Sequence, residues 1–249
     1  MGKAYLILSG KGGVGKTTIA TSLALELAAR GLSVALVDAD IGLRCADQLL
    51  DLQSEVVFDA GDVLEKRCTM TRALVRHPDI HSLCLLSAPQ TLGPSDVEKK
   101  EMTKLLSRLK SQFDFVLIDC PAGIGRGIKN VWEDADEALV VATPDDACLR
   151  DAERISNLLF DKKSMHPYLI LNRVSHYLVW DGDMKKPAEI AQELDMPLLA
   201  VIPESSEVYR ALLKHKTALE CQSHRVRKAI RVLADRMLGI DRALPHYCR

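Results

Sequence analysis

The stretch Gly10–Thr17, GKGGVGKT, constrains this chain more than any other, because it satisfies G-x-x-x-x-G-K-[ST] between an apolar run, AYLILS (4–9), and a helical pattern from Ile19 to Ala29. The pattern requires a turn from a buried strand into a helix. Gly10, Gly12, Gly13 and Gly15 let the backbone turn and approach an anion without Cβ clashes. Amides of the loop and of the helix N-terminus then converge on a phosphate, with the helix dipole adding attraction. In such a loop Lys16 reaches the β- and γ-phosphates and the Thr17 hydroxyl ligates Mg2+. Val14 and Thr18 complete the predicted contacts to ATP or ADP. The second lysine of the loop, Lys11, is not required by the pattern.

Further apolar runs follow: SVALVD (33–38), LCLLS (83–87), FVLID (115–119), ALVVA (138–142), YLILN (168–172) and LLAVI (198–202). They are short, rich in Val, Ile and Leu, and do not alternate, which is the pattern of strands buried on both faces of a parallel sheet. Helical patterns separate them at 95–111, 146–160 and 226–238. The expected fold is α/β, a doubly wound, mostly parallel sheet with helices on both faces. No linker or repeat divides the 249 residues, so one P-loop domain, 1–249, is expected, ending in a short tail, 239–249, with Pro245 and few apolar residues, that reads as poorly ordered.

The net charge of −1 provides no global attraction to DNA or anionic lipid. Seven cysteines include no C-x-x-C pair and no zinc spacing, the usage expected of reduced thiols in a cytoplasmic protein. The apolar run at the N-terminus is too short for a signal-peptide core, and Leu6 stands where a myristoylation signal needs Ser or Thr.

Two other strands end in carboxylates. LIDCPAG ends its strand at Asp119, the position of a residue that coordinates Mg2+ directly or through water; LVDADIG places Asp38 and Asp40 after the second strand. Aspartates after strands often only form turns. Here they fall on the sheet edge that carries the phosphate loop, where open α/β sheets bind ligands.

With Lys11, the loop resembles that of the MinD/ParA family of deviant Walker A ATPases. The resemblance continues in DADIGLR (38–44), DVLEKRC (62–68), DFVLIDCPAGI (114–124), ADEALVVATPD (135–145), RDAERI (150–155), LNRV (171–174), GDM (182–184) and PLLAVIPE (197–204). It implies an ATP-dependent homodimer in which Lys11 reaches phosphates bound by the partner subunit, as an arginine finger would. Asp40 would position the attacking water, while Asp38 and Asp119 would serve the Mg2+ shell. Asn172 would read adenine in a pocket closed by Pro203 and Glu204. The Arg150–Asp151 pair also matches, and a surface ion pair is its default reading. The implied function is septum-site selection with MinC-like inhibitor and MinE-like activator partners. A related ATPase that positions flagella, DNA or protein clusters is the alternative, with DNA disfavoured by the charge. Two positions depart from the family pattern: Cys45 replaces the usual Asn, and Gly125 replaces a polar residue.

Family members of the MinD kind end in a basic amphipathic lipid-binding helix. Here HRVRKAIRVLADRML carries one apolar stripe and a basic face with Arg227, Lys228 and Arg231, read by preference as a helix packed on the domain. A weak contact with the inner face of the cell membrane is the other implication.

Overall fold

The computed structural model describes residues 2–40, 44–89, 99–123, 134–163 and 165–248. Its strands are β1 Lys3–Leu8, β2 Val34–Asp38, β3 Leu74–Arg76, β4 Leu83–Leu86, β5 Phe115–Asp119, β6 Glu137–Ala142, β7 Tyr168–Val174 and β8 Leu198–Pro203. They form one sheet in the order β3-β4-β2-β5-β1-β6-β7-β8, parallel throughout except for β3 against β4. The doubly wound fold is the one expected. Every residue of β2 and β5 is buried, which accounts for their unbroken apolar runs. Strand β3 was not anticipated. It is three residues long, lies at the edge and is incompletely buried, so it leaves no hydrophobic run.

The chain winds outward from β1 in both directions. The resulting crevice at the carboxyl ends of β1, β5 and β6 is a topological switch point. Helix α1, Lys16–Ala29, leaves β1 through the phosphate loop and starts three residues before its apolar pattern does. It is buried nearly all round, including Thr21 and Ser22. Their hydroxyls would be costly to bury unpaired. Thr21 Oγ1 donates to the Thr17 carbonyl at 2.8 Å and Ser22 Oγ to that of Thr18 at 2.6 Å.

The C-terminal helix, His224–Met237, is capped by the Ser223 hydroxyl and buries Val226, Ala229, Ile230, Leu233 and Ala234 on α1 and β8. The packed reading of this helix therefore holds, and its apolar stripe is not free to enter lipid. Beyond it the chain reaches a 3-10 turn at His246–Cys248, with Cys248 buried against the helices His176–Asp181 and Pro187–Glu193. Among the described residues, no helix is long and apolar enough to cross a membrane.

Candidate nucleotide site

The carboxyl ends of β1, β2 and β5 bring together residues far apart in sequence. Asp38 and Asp119 are register partners on adjacent parallel strands, and Ile7, just ahead of the loop, pairs with Asp119 on the other side. The Lys16 ammonium lies 2.7 Å from Asp119 Oδ1, and both residues are almost fully buried. Burial alone would lower the Lys16 pKa, but attraction and hydrogen bonding from Asp119 outweigh it and raise it. Asp119 Oδ2 is buried without a hydrogen-bond partner. A desolvated carboxylate oxygen with no donor is a strong cation ligand left open.

Asp38 is held by the Asp40 amide on Oδ1 at 3.0 Å and by the Ala46 amide on Oδ2 at 3.2 Å. Burial, then repulsion from Asp119, pushes its pKa up to about 7 despite these bonds. Asp40 is half-buried, and its pKa is raised by burial against the attraction of Lys16. Cys45, one of the two departures, precedes Ala46 as the N-terminal flank of a one-turn helix, and burial raises its thiol. The other departure, Gly125, lies outside the described residues, as do Ile41, Gly42 and Leu43.

The phosphate loop follows from its glycines. Gly13 and Gly15 have φ of 77° and 94°, a region that favours glycine. A Cβ on Gly15 would lie 2.4 Å from Asn172 Nδ2, and one on Gly10 would lie 2.2 Å from Asp151 Cβ. Asp151 thus packs behind the first loop glycine. It pairs with Arg154 at 3.2 Å, while Arg150 donates to the Asp146 carbonyl, so the expected Arg150–Asp151 surface pair gives way to two separate contacts. Thr17 and Thr18 are half-buried in the first turn of α1, and Gly12 and Lys11 stand exposed on the rim. The Thr143 hydroxyl, the Cys148 amide and the nearby charge of Lys11 hold the Asp145 carboxyl below its ordinary range.

Beside the loop, a cavity of about 640 Å3 is lined by Gly15, Thr18, Asn172, Pro203 and Glu204, all expected in the nucleotide site. Arg173, Ser175, Val208 and Tyr209 also line it and were not foreseen. Ser175 is a helix N-cap, a signal the sequence carried, whereas Val208 and Tyr209 lie on a seven-residue helix without a distinctive pattern. Asn172 Nδ2 donates to the Val14 carbonyl at 2.7 Å, and its Oδ1 and second N–H are what it can offer a ligand. Arg173 Nη2 donates to the Gly13 carbonyl at 2.8 Å.

This arrangement can cradle a triphosphate, hold a divalent cation and enclose a planar base. The ParA family model, described as NUBPL iron-transfer P-loop NTPase, matches residues 1–238. The septum site-determining protein MinD of Bacillus subtilis (strain 168) is 40% identical over 241 residues, 96% of this chain and 90% of that protein. The MinD of Helicobacter pylori is 37% identical over 94% of this chain and 89% of its own length. Among solved structures, a MinC:MinD cell division protein complex from Aquifex aeolicus superposes with a TM-score of 0.91 at 32% identity, covering 98% of this chain and 99% of that one. A MinD complexed with Mg-ADP from Pyrococcus horikoshii gives a TM-score of 0.83 at 26% identity, covering 95% and 96%.

Proposed function

The chain belongs to the ParA family of P-loop NTPases and resembles MinD proteins along nearly its whole length, and from that premise we propose that it is a Mg-dependent ATPase whose ATP-bound form dimerises to act in division-site selection. One observation carries the reading. The two-lysine phosphate loop sits at the switch point with Asp38, Asp40 and Asp119 around it. An iron–sulfur carrier fits less well, since the cysteines have no C-x-x-C spacing and Cys84, Cys120, Cys148, Cys221 and Cys248 are buried.

Thr17, Asp38 and Asp119 would hold Mg2+, which when bound supplies positive charge to the β- and γ-phosphate oxygens. Lys16 leaves Asp119 for those oxygens and releases the carboxylate it now pairs. Asn172 offers the base an acceptor. That acceptor suits the amino group at position 6 of adenine. Asp40 orients the attacking water, and the partner subunit's Lys11 stabilises charge on the transferring phosphoryl group.

Because that lysine arrives in trans, hydrolysis depends on dimerisation, and the γ-phosphate favours the dimer over the ADP state. A MinC-like inhibitor would dock on the ATP dimer and a MinE-like activator would reset it. The protein would act in the cytoplasm and at the inner membrane surface. The test is size-exclusion light scattering with Mg-ATP and Mg-ADP, together with phosphate release. Wild type should dimerise only with ATP, and Lys11→Ala should lose the dimer and at least about tenfold in turnover. A Lys11→Ala chain that dimerises and hydrolyses normally would remove the reading.

A further inference from the structure

Strand β7 does not run regularly into the site. Its register against β8 pairs Leu171 with Val201 and Val174 with Pro203, so Asn172 and Arg173 together face the single residue Ile202. On its other side, β6 pairs no further than Ala142 with Leu171. The two residues of this bulge therefore sit at the carboxyl edge, where a bulge re-aims side chains. Arg173 adopts φ 56°, a left-handed conformation that a long side chain rarely takes. Such strain marks a position over-determined by its surroundings and collects at functional sites.

The strained residue has a definite target. Asn172 and Arg173 donate to consecutive carbonyls of the phosphate loop, Val14 at 2.7 Å and Gly13 at 2.8 Å. The Asn172 contact is buried and bears on the inner turn, against Gly15. The Arg173 contact is on the exposed rim and holds the outer turn, two residues after Lys11. Apart from their chain neighbours, Gly12 and Gly13 have no atom within 4 Å of where a Cβ would stand, so little packing from elsewhere restrains that turn.

We infer that Arg173 is a positioning residue for the trans lysine: its grip on the Gly13 carbonyl fixes the outer loop turn that presents Lys11 to the partner subunit's nucleotide. This rests on the reading of Lys11 above. It assigns Arg173 to the neighbouring site rather than to the nucleotide in the cavity that it lines.

Mixed dimers separate these two assignments. Full-length chains carrying different tags are assembled with Mg-ATP and isolated through both tags. When wild type is paired with the double variant Lys11→Ala/Arg173→Ala, the double variant's site still receives an intact lysine from an intact loop. About half of wild-type turnover should remain, because the two sites count independently. When Lys11→Ala is paired with Arg173→Ala, one site lacks the lysine and the other receives it from an ungripped loop. Turnover should fall about tenfold through misplacement. In that second pair, Arg173→Lys in place of Arg173→Ala should recover most of the half-activity, since its ammonium can donate to the same carbonyl.

The reverse ordering of the two mixed dimers would place Arg173 on its own subunit's nucleotide and overturn the inference, as would equal turnover in both. A Mg-ADP Kd for Arg173→Ala within about twofold of wild type would show that the variant folds and binds through the rest of the site. A tenfold weaker Kd with unchanged turnover would overturn the proposal. Lys11→Ala protein that on its own dimerises and turns over like wild type would instead remove the underlying reading, and this inference with it.

Discussion

At the carboxyl edge of the sheet, Lys16, Asp38 and Asp119 are buried, and Asp119 Oδ2 has no hydrogen-bond partner. Along the C-terminal helix, similar charges stand on a surface. Arg225, Lys228 and Arg231 are exposed there, while Arg30 ties the helix to α1 by contacts to Asp235 at 2.6 Å and Glu26 at 2.8 Å. At the sheet edge a buried carboxylate oxygen lacks a partner, whereas on the helix Arg225, Lys228 and Arg231 are solvated and Arg30 is paired. The difference shows that residue type does not mark a site. Several buried charges converging at one sheet edge do, because desolvated charges interact strongly with a ligand that completes them.

The comparison breaks most sharply at Lys16. Substituting Ala for it removes a preorganised cation from the phosphate site and should lower ATP turnover about a hundred- to a thousandfold, measured by phosphate release. Removing one partner of this buried ion pair also destabilises by about 3–5 kcal/mol, so turnover is compared on protein shown by circular dichroism to be folded. Retention of more than a tenth of wild-type turnover would mean that the buried cluster is structural, like the surface one.

A second test uses the displaced proton equilibrium. The ordinary value for Asp38 is 3.8, and the folded chain raises it to about 7. Between these values the folded chain keeps a proton that the unfolded chain has lost. The stability contribution of this group is therefore greatest below that window and falls as pH rises through it. If Asp38 serves Mg2+ as proposed, Mg-ADP binding requires the charged carboxylate and must expel the proton. The Kd should be about tenfold weaker at pH 6 than at pH 8, with proton release seen by calorimetry in two buffers. Asp38→Asn should abolish this dependence. A flat profile in wild type would show that burial is not what perturbs the cluster.

The contrast also explains what was legible beforehand. Strand and helix identity came from apolar runs, because strands buried on both faces leave no room for polar residues. The phosphate loop and the terminal aspartates were legible because their chemistry limits residue choice. The Lys16–Asp119 pair was not, since the two lie 103 positions apart and only the parallel register brings them together. Arg173 stands within LNRV without a signal of its own. Its role depends on a bulge, and bulges leave no composition signal in an apolar strand. The start of α1 lies three residues before its apolar pattern because Lys16, Thr17 and Thr18 are helical yet polar, selected for the ligand rather than for the core.

The smallest effect expected lies within the surface cluster itself. Arg30 is mostly buried, and besides its two carboxylates it donates to the Arg231 carbonyl at 3.1 Å, so one side chain closes α1 against the C-terminal helix. Arg30→Ala should cost about 1–3 kcal/mol in denaturant unfolding, the range for hydrogen bonds to charged groups. Lys228→Ala, on the exposed basic face, should stay within about 0.5 kcal/mol. Neither change should alter the Kd for Mg-ADP by more than about twofold, because neither side chain reaches the nucleotide cavity. If Lys228→Ala proved as costly as Arg30→Ala, exposure would not separate solvated charge from paired charge on this helix. The two groups of charges would then differ in ligand chemistry alone.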